Sequence, residues 1–457
     1  MCTAAPLLNS AAEKRHFRRT VITLVIPMAL QNLINVAVNA ADVFMLEAVS
    51  ETVLSGSYLA GQIQFIMTLI FFGITSGASV LSAQYWGKGE TEQISKILGI
   101  ALRISLCVAA VFTVAGFCFP LQLLNLFTNE AEVAKEGAKY LRILSLSFPM
   151  TAISSVYLNI MRSVERVVIS TVVYLSSLLV NISLNAVLIF GLLGAPKLGI
   201  VGAATATVSA RAAELLIVLI YGRMKNNPVR LSPRILFLND KLLLSDFFRY
   251  ASPVILNELF WGGGSSMNSL IIGHLGTSAV AANSIAQMTR NLATVVAFGV
   301  ANATAIMIGK AIGEGDSEKA KLYGKRLVRL TLIVGAVSAL IVLGILPVLR
   351  GVMSLEPQTW NKLVLMMCVM SYFTFAQAYN TTMIVGVFRA GGDTRFGLLL
   401  DISTMWGCSI ALGALCAFVL QLPFPVVYIV LMSDEIIKLL PTTLRYRKRL
   451  WLKNLTR

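Results

Sequence analysis

Charge is scarce in this chain. Only 13% of its 457 residues are Asp, Glu, Lys or Arg, about half the share of a soluble domain, which argues against a water-bathed globular fold. Histidine is scarcer still. His16 and His274 are the only two, one near a terminus and one in an expected outer loop, so no histidine-based catalytic cluster is in sight. The six cysteines form no CxxC pair and mostly fall inside apolar stretches, which points away from a disulfide frame or a cysteine metal site. The period-two alternation of a membrane β-barrel is missing. No small-residue cleavage site clearly follows a short apolar core at the N-terminus, so the first apolar run reads as a retained span.

Apolar runs fill the space that charge leaves. The hydrophobic share is 56%, and runs of about 20 residues, enough to cross a bilayer, recur from end to end. The expected fold is all-α and integral to the membrane. About twelve helices are predicted, near 20–46, 53–83, 97–124, 139–161, 168–190, 200–222, 246–273, 279–309, 325–350, 361–389, 396–420 and 426–446. The net charge of +16 sits between these runs, in EKRHFRR, RMKNNPVRLSPR, KAKLYGKRLVR and LRYRKRLWLKNLTR. Basic loops follow the even-numbered spans and short or acidic ones the odd, which places both termini in the cytoplasm. The lipid bilayer of the cytoplasmic (plasma) membrane is then the partner, and no nucleic acid is needed. A monomer is expected.

The chain also contains a copy of itself. A shift of 226 positions lays Pro27 on Pro253, Phe72-Gly73 on Phe298-Gly299 and GKGETE (87–92) on GEGDSE (313–318). Arg162 meets Arg389 with one residue inserted. The glycine-rich pieces close the second span of each half, and Thr91 and Ser317 read as N-caps of the helices that follow. Two pseudo-symmetric six-helix bundles follow, in parallel orientation around a shared cleft. The predicted organisation is a cytoplasmic N-terminus (1–19), an N-terminal lobe (20–222), a linker (223–245), a C-terminal lobe (246–446) and a cytoplasmic tail (447–457).

A few polar residues interrupt the apolar pattern. Asn32, Asn35, Asn39 and Asp42 are 3, 4 and 3 apart and form one stripe along the first helix. An ionised side chain in hydrocarbon costs roughly 3 kcal/mol or more, so the stripe must face protein or water. Two readings stay open: amides that join helices, with Asp42 near the outer interface, or a cavity lining with an ion-coupled Asp42. The fifth span carries Ser177, Asn181 and Asn185, each four apart, and Thr207 lies at a matching depth in the sixth. A carboxylate among amide and hydroxyl oxygens suits Na⁺ at Asp42, Asn181 and Asn185, or a proton on Asp42.

In the second half, Glu258 shares a face with Ser265 and Ser269. Glu258 and Arg290 both lie near mid-membrane and are predicted to pair. A permanent pair would be structural, whereas a Glu258 released during a cycle would carry a proton. Pro27 and Gly262 to Gly264 mark sites for bending. Arg211 with Glu214, and Glu435 with Lys438, are charged pairs three apart that neutralise along their own helices. The remaining cavity-lining candidates are Gln31, Trp261 and Gln377, beside Asn35, Asn39, Ser177, Ser265 and Arg290. Methionines are read as core or lipid-facing residues that give a cavity adaptability.

IPMALQNLINVAVNAADVFML, FGITSGASVLSAQYWGKGE, SPVILNELFWGGG and VFRAGGDTRFG, in this order, resemble the multidrug and toxic compound extrusion (MATE) transporters from about residue 20 to 446. The resemblance implies two six-helix bundles and antiport: an organic substrate, cationic or amphiphilic, leaves as Na⁺ or H⁺ enters, with no other cofactor and no catalysis. Asp42 then matches the acidic residue of the family's first helix. Asn181 matches the asparagine of the fifth-helix N-x-x-x-D pattern, whose aspartate is Asn185 here. Thr207 matches the sixth-helix A-T threonine, and Glu258 resembles the seventh-helix glutamate of some members. The tenth-helix aspartate has no counterpart between Lys362 and Arg389, Gln377 being the nearest polar residue. LEAVSE replaces the usual G-x-L-G after the first helix. The alternatives are a flippase for a lipid-linked saccharide, which calls for a more basic cavity, and a membrane transferase, which calls for clustered acids or histidines at a membrane face.

Overall fold

A chain surrounded by lipid has no water to satisfy its backbone, so each span must close its hydrogen bonds within itself. The computed structural model describes residues 11–225, 227–237, 240–353 and 355–456, and among them only helices and their connections occur. The long helices are α1 (Ala11–Glu47), α2 (Glu51–Lys88), α3 (Thr91–Cys118), α4 (Ala131–Ser163), α5 (Val168–Phe190), α6 (Ile200–Arg223) and α7 (Lys241–Gly273). They continue with α8 (Thr277–Gly313), α9 (Ser317–Val352), α10 (Pro357–Phe388) and α11 (Thr394–Val419), then α12 (Phe424–Leu431) and α13 (Asp434–Arg447). Ten of these are long and apolar enough to cross a membrane. The others are α7, diluted by Asn257, Glu258 and a run of Gly and Ser, and the α12–α13 pair, broken at Met432 and Ser433. Taking α12 and α13 as halves of one span gives the twelve predicted. α1 and α7 run unbroken through Pro27 and Pro253, and α7 through its three glycines.

The helices are inverted relative to those of a water-soluble protein. On α5, Val168, Val172, Leu175 and Leu179 are exposed while Ser170, Ser177, Asn181 and Asn185 are buried. Lipid rewards an apolar exterior, so the polar face turns inward.

The 226-residue register runs through the whole architecture. α2 and α8 begin at Glu51 and Thr277, α3 and α9 at Thr91 and Ser317, α4 and α10 at Ala131 and Pro357, and α5 and α11 at Val168 and Thr394, every pair at that offset. The matched glycines have a packing reason. A Cβ on Gly73 would lie 2.5 Å from the Ile255 Cα, and one on Gly299 would lie 3.3 Å from the Ala29 nitrogen. Gly87 faces the Lys310 carbonyl, and Gly313 faces the Gln84 carbonyl. Thr91 and Ser317 are the first helical residues rather than caps. Asp316 caps α9 by accepting from the Lys319 amide, and Glu90 precedes α3 without a side-chain cap. The preceding residue holds the non-helical backbone angles that capping requires.

The chain divides into two compact units. An N-terminal unit comprises residues 30–82 and 90–255, and a C-terminal unit comprises 1–29, 83–89 and 256–457. The last residues belong to the latter's packing: Trp451 is buried, and Gln84 donates Nε2 to the carbonyls of Ala390 (2.7 Å) and Lys453 (3.2 Å) while accepting from the Leu455 amide (2.7 Å).

Candidate cation site

In the N-terminal unit, α1, α5 and α6 bring together the four residues singled out for cation coupling. The Asn185 Nδ2 donates to Asp42 Oδ1 at 2.5 Å and to Asn181 Oδ1 at 3.2 Å. The Asn181 Nδ2 in turn donates to Thr207 Oγ1 at 3.4 Å. Asn181, Asn185 and Thr207 are buried, and Asp42 is half-buried. Among the described residues no lysine, arginine or histidine lies within 4.0 Å of the Asp42 carboxylate, and Arg211, which senses it at longer range, is paired with Glu214 at 2.5 Å. The Asn185 Oδ1 is buried and accepts no hydrogen bond. A carboxylate and an orphaned amide oxygen on one side chain's reach form a hard, oxygen-rich set with a place for a positive charge. The residues therefore fit Na⁺ or a proton.

Other candidates are placed elsewhere. Gln31 is buried but turns to Thr171 Oγ1 (2.9 Å) on α5. Ser177 is buried one turn before Asn181. Asn35 and Asn39 are exposed. Trp261 packs beside the C-terminal unit's core, Ser265 is half-buried, and Gln377 is buried with its Oε1 unpartnered.

The predicted pairing of Glu258 with Arg290 does not form. Glu258 instead meets Arg389, Nη2 to Oε1 at 2.7 Å. Arg290 lies against Phe373, 5.8 Å from its ring centre, and touches Asn291. Sequence position fixes depth in the membrane but not the direction a side chain faces around its helix, and here the direction decided. The Arg389 pair opens a buried relay. Arg389 also donates to Asn257 Oδ1 (3.2 Å), and Asn257 donates to Asp401 Oδ2 (2.6 Å). The Lys438 Nζ is held by Asp401 (2.8 Å), Asp434 (3.0 Å) and Glu435 (3.3 Å), and Asn380 donates to Glu435 Oε2 (2.8 Å). The Glu435–Lys438 contact exists as expected, but it is the longest of three. An ammonium occupies the centre of these carboxylates, and among the described residues no group of three or more His, Cys, Asp or Glu is arranged for a metal ion.

Asp401, Arg389, Asn257 and Tyr140 join these sites without having been among the residues that the sequence pattern singles out as candidates. Asp401 was visible as a lone acid in an apolar run, and Arg389 as the partner of Arg162 in the repeat. Tyr140 carried no signal. It is buried on α4, within electrostatic reach of Asp42, and α4 packs against the α6 helix that carries Thr207.

The same unit has a pocket of about 530 Å³ at the end of α1, lined from the α1–α2 turn (Val49, Ser50), the start of α4 (Glu132, Glu136, Lys139) and the start of α6 (Lys197 to Val201).

Comparison with known proteins places these features in context. The probable multidrug resistance protein YoeA of Bacillus subtilis is 26% identical over 361 residues, covering 78% of this chain and 76% of that one. The probable multidrug resistance protein NorM of Bradyrhizobium diazoefficiens is 26% identical over 407 residues, covering 87% and 86%. A MOP superfamily transporter from Pyrococcus furiosus, whose binding pocket has reversed polarity, shares the fold with a TM-score of 0.85 at 20% identity over 95% of this chain and 96% of its own. A MATE structure in the bent conformation gives 0.84 at 18% identity over 95% of each. The MatE family model matches twice, over residues 27–187 and 253–440, starting at the two prolines that the internal repeat superposes. This chain belongs to the MatE family of membrane transporters.

Proposed function

We propose that the protein is a secondary antiporter of the plasma membrane. It exports small organic compounds, cationic or amphiphilic in character, in exchange for Na⁺ or H⁺ by alternating access, with both termini in the cytoplasm. The observation that carries this reading is the Asp42 carboxylate, set in a membrane helix with an amide rather than a cationic side chain as its direct partner. Leaving an ionised carboxylate so placed is unfavourable until a cation or proton joins it, so its charge state can report ion occupancy. Asn185 and Asn181 orient the carboxylate, and Thr207 ends the chain of hydrogen bonds on α6. The relatives named for multidrug resistance support the substrate class, and the basic loops support the orientation.

The test is transport in reconstituted vesicles with a Na⁺ gradient and a pH gradient imposed separately. One of the two gradients is expected to drive export of an organic cation, and Asp42→Asn is expected to abolish that drive while leaving the protein folded. Undiminished gradient-driven export by a folded Asp42→Asn protein would overturn the assignment.

A further inference from the structure

The pocket at the end of α1 borders the ends of α1 and α6, two of the helices that build the Asp42 cluster, and the start of α4 beside them. On α6, Val201 lines the pocket and Thr207 follows six residues later, about 9 Å further along the helix. On α4, Glu136 and Lys139 line it, and the buried Tyr140 comes next, within electrostatic reach of Asp42. On the α1 side, Val49 lines it two residues beyond the helix that carries Asp42. Tyr140 therefore sits on the helix turn that carries the pocket-lining Lys139. We propose that this pocket is the aqueous entry through which the coupling cation, a proton or Na⁺, reaches Asp42. The inference rests on Asp42 being the coupling carboxylate.

The lining chemistry suits passage rather than storage. Two carboxylates, Glu132 and Glu136, face two ammonium groups, Lys139 and Lys197. Glu136 is paired with Lys139 at 2.6 Å and Glu132 with Lys135 at 3.0 Å, while Lys197 has no carboxylate within 4.0 Å among the described residues. Such an entry is lined by charge of both signs, without a net charge that would trap a cation. Its residues still set the local cation concentration. A unit charge roughly 10 Å away in water alters it by about two-fold, an effect that salt screens.

The experiment uses the full chain in vesicles, varying the driving cation on the side that the pocket faces. Lys197→Glu, a change of two charge units at an exposed loop residue, should lower the half-saturating cation concentration about four-fold at low salt, with the effect shrinking as salt is added. Glu136→Lys should raise it by a similar factor, and neither should move the KM for the organic substrate. A bulky neutral maleimide on Ser50→Cys, in a background without the native cysteines, should slow cation-driven transport. If Asp42→Asn abolishes coupling but Lys197→Glu and the Ser50 adduct leave the cation dependence unmoved, the pocket is not the entry. If Asp42→Asn retains coupling, the underlying assignment has failed instead.

Discussion

Asn185 uses its two amide ends unequally, the Nδ2 donating to Asp42 and Asn181 while the Oδ1 accepts nothing. Asn185→Ala would strip both acceptors of their donor, at an expected cost of about 1–3 kcal/mol, readable as a lower melting temperature in detergent. Lys438 is a contrasting residue, nearly inaccessible and touching three carboxylates. Lys438→Met would leave those charges facing one another, and a loss of about 3–5 kcal/mol is expected by the same measurement. A Lys438→Met protein as stable as the parent would show that the ammonium does not hold this cluster together. Much of this chemistry was legible beforehand. Asp42, Asn181, Asn185 and Thr207 declared themselves because helical spacing and depth are written in the sequence. Their contact in space, and the choice of Arg389 over Arg290 by Glu258, depended on helix rotation, which no single helix encodes. Tyr140, flanked by Lys139 and Arg142, looked like any aromatic residue near a helix start until α6 was packed against its helix.

Among the elements, several helix crossings set a glycine against a neighbouring backbone. Gly313→Ala would drive a methyl group into the Gln84 carbonyl, part of a backbone that cannot retreat alone. Its cost should exceed that of Gly315→Ala, where φ is +78° but nothing lies within 4 Å of the added carbon. For Gly315 the left-handed backbone alone sets about 1–2 kcal/mol; parallel melts of the two variants check the order. The loop before α7 offers a pH-dependent case. Asp240 accepts the Leu243 amide at 3.0 Å and lies 3.7 Å from the Lys96 ammonium, and the backbone hydrogen bond, then Lys96, holds its carboxyl below the usual carboxylate range. A lowered value means stability that is complete above about pH 4 and is lost as the pH falls through the folded-state value. Melting temperature measured from about pH 5 to pH 3 should therefore decline less steeply in Asp240→Asn than in the parent. Helix existence was readable from apolar runs. The break at Met432–Ser433 was not, because no proline or glycine marks it.

At the scale of the whole molecule, both halves keep one register while their polar chemistry diverges. The repeat predicted the agreement of helix starts because both copies must bury equivalent faces. It did not predict that Gln31 and Asn257, which the shift superposes, would both reach the fifth helix of their own half, to Thr171 and Asp401. The segment predicted as a cytoplasmic tail is packed rather than merely appended, and Gln84 from the first half secures it. Gln84→Ala would leave two carbonyls and an amide without that partner. Trypsin should then cleave after Lys453 several-fold faster than in the parent, and equal rates would show that Trp451 alone seats the segment.

Gly87 and Gly313 each abut a carbonyl oxygen, and every amino acid supplies that same oxygen. Randomising the residues around either position offers no smaller partner to make room. Mutational libraries should therefore recover glycine at both sites however freely their neighbours vary, a fixed point shared by two copies that have otherwise drifted apart.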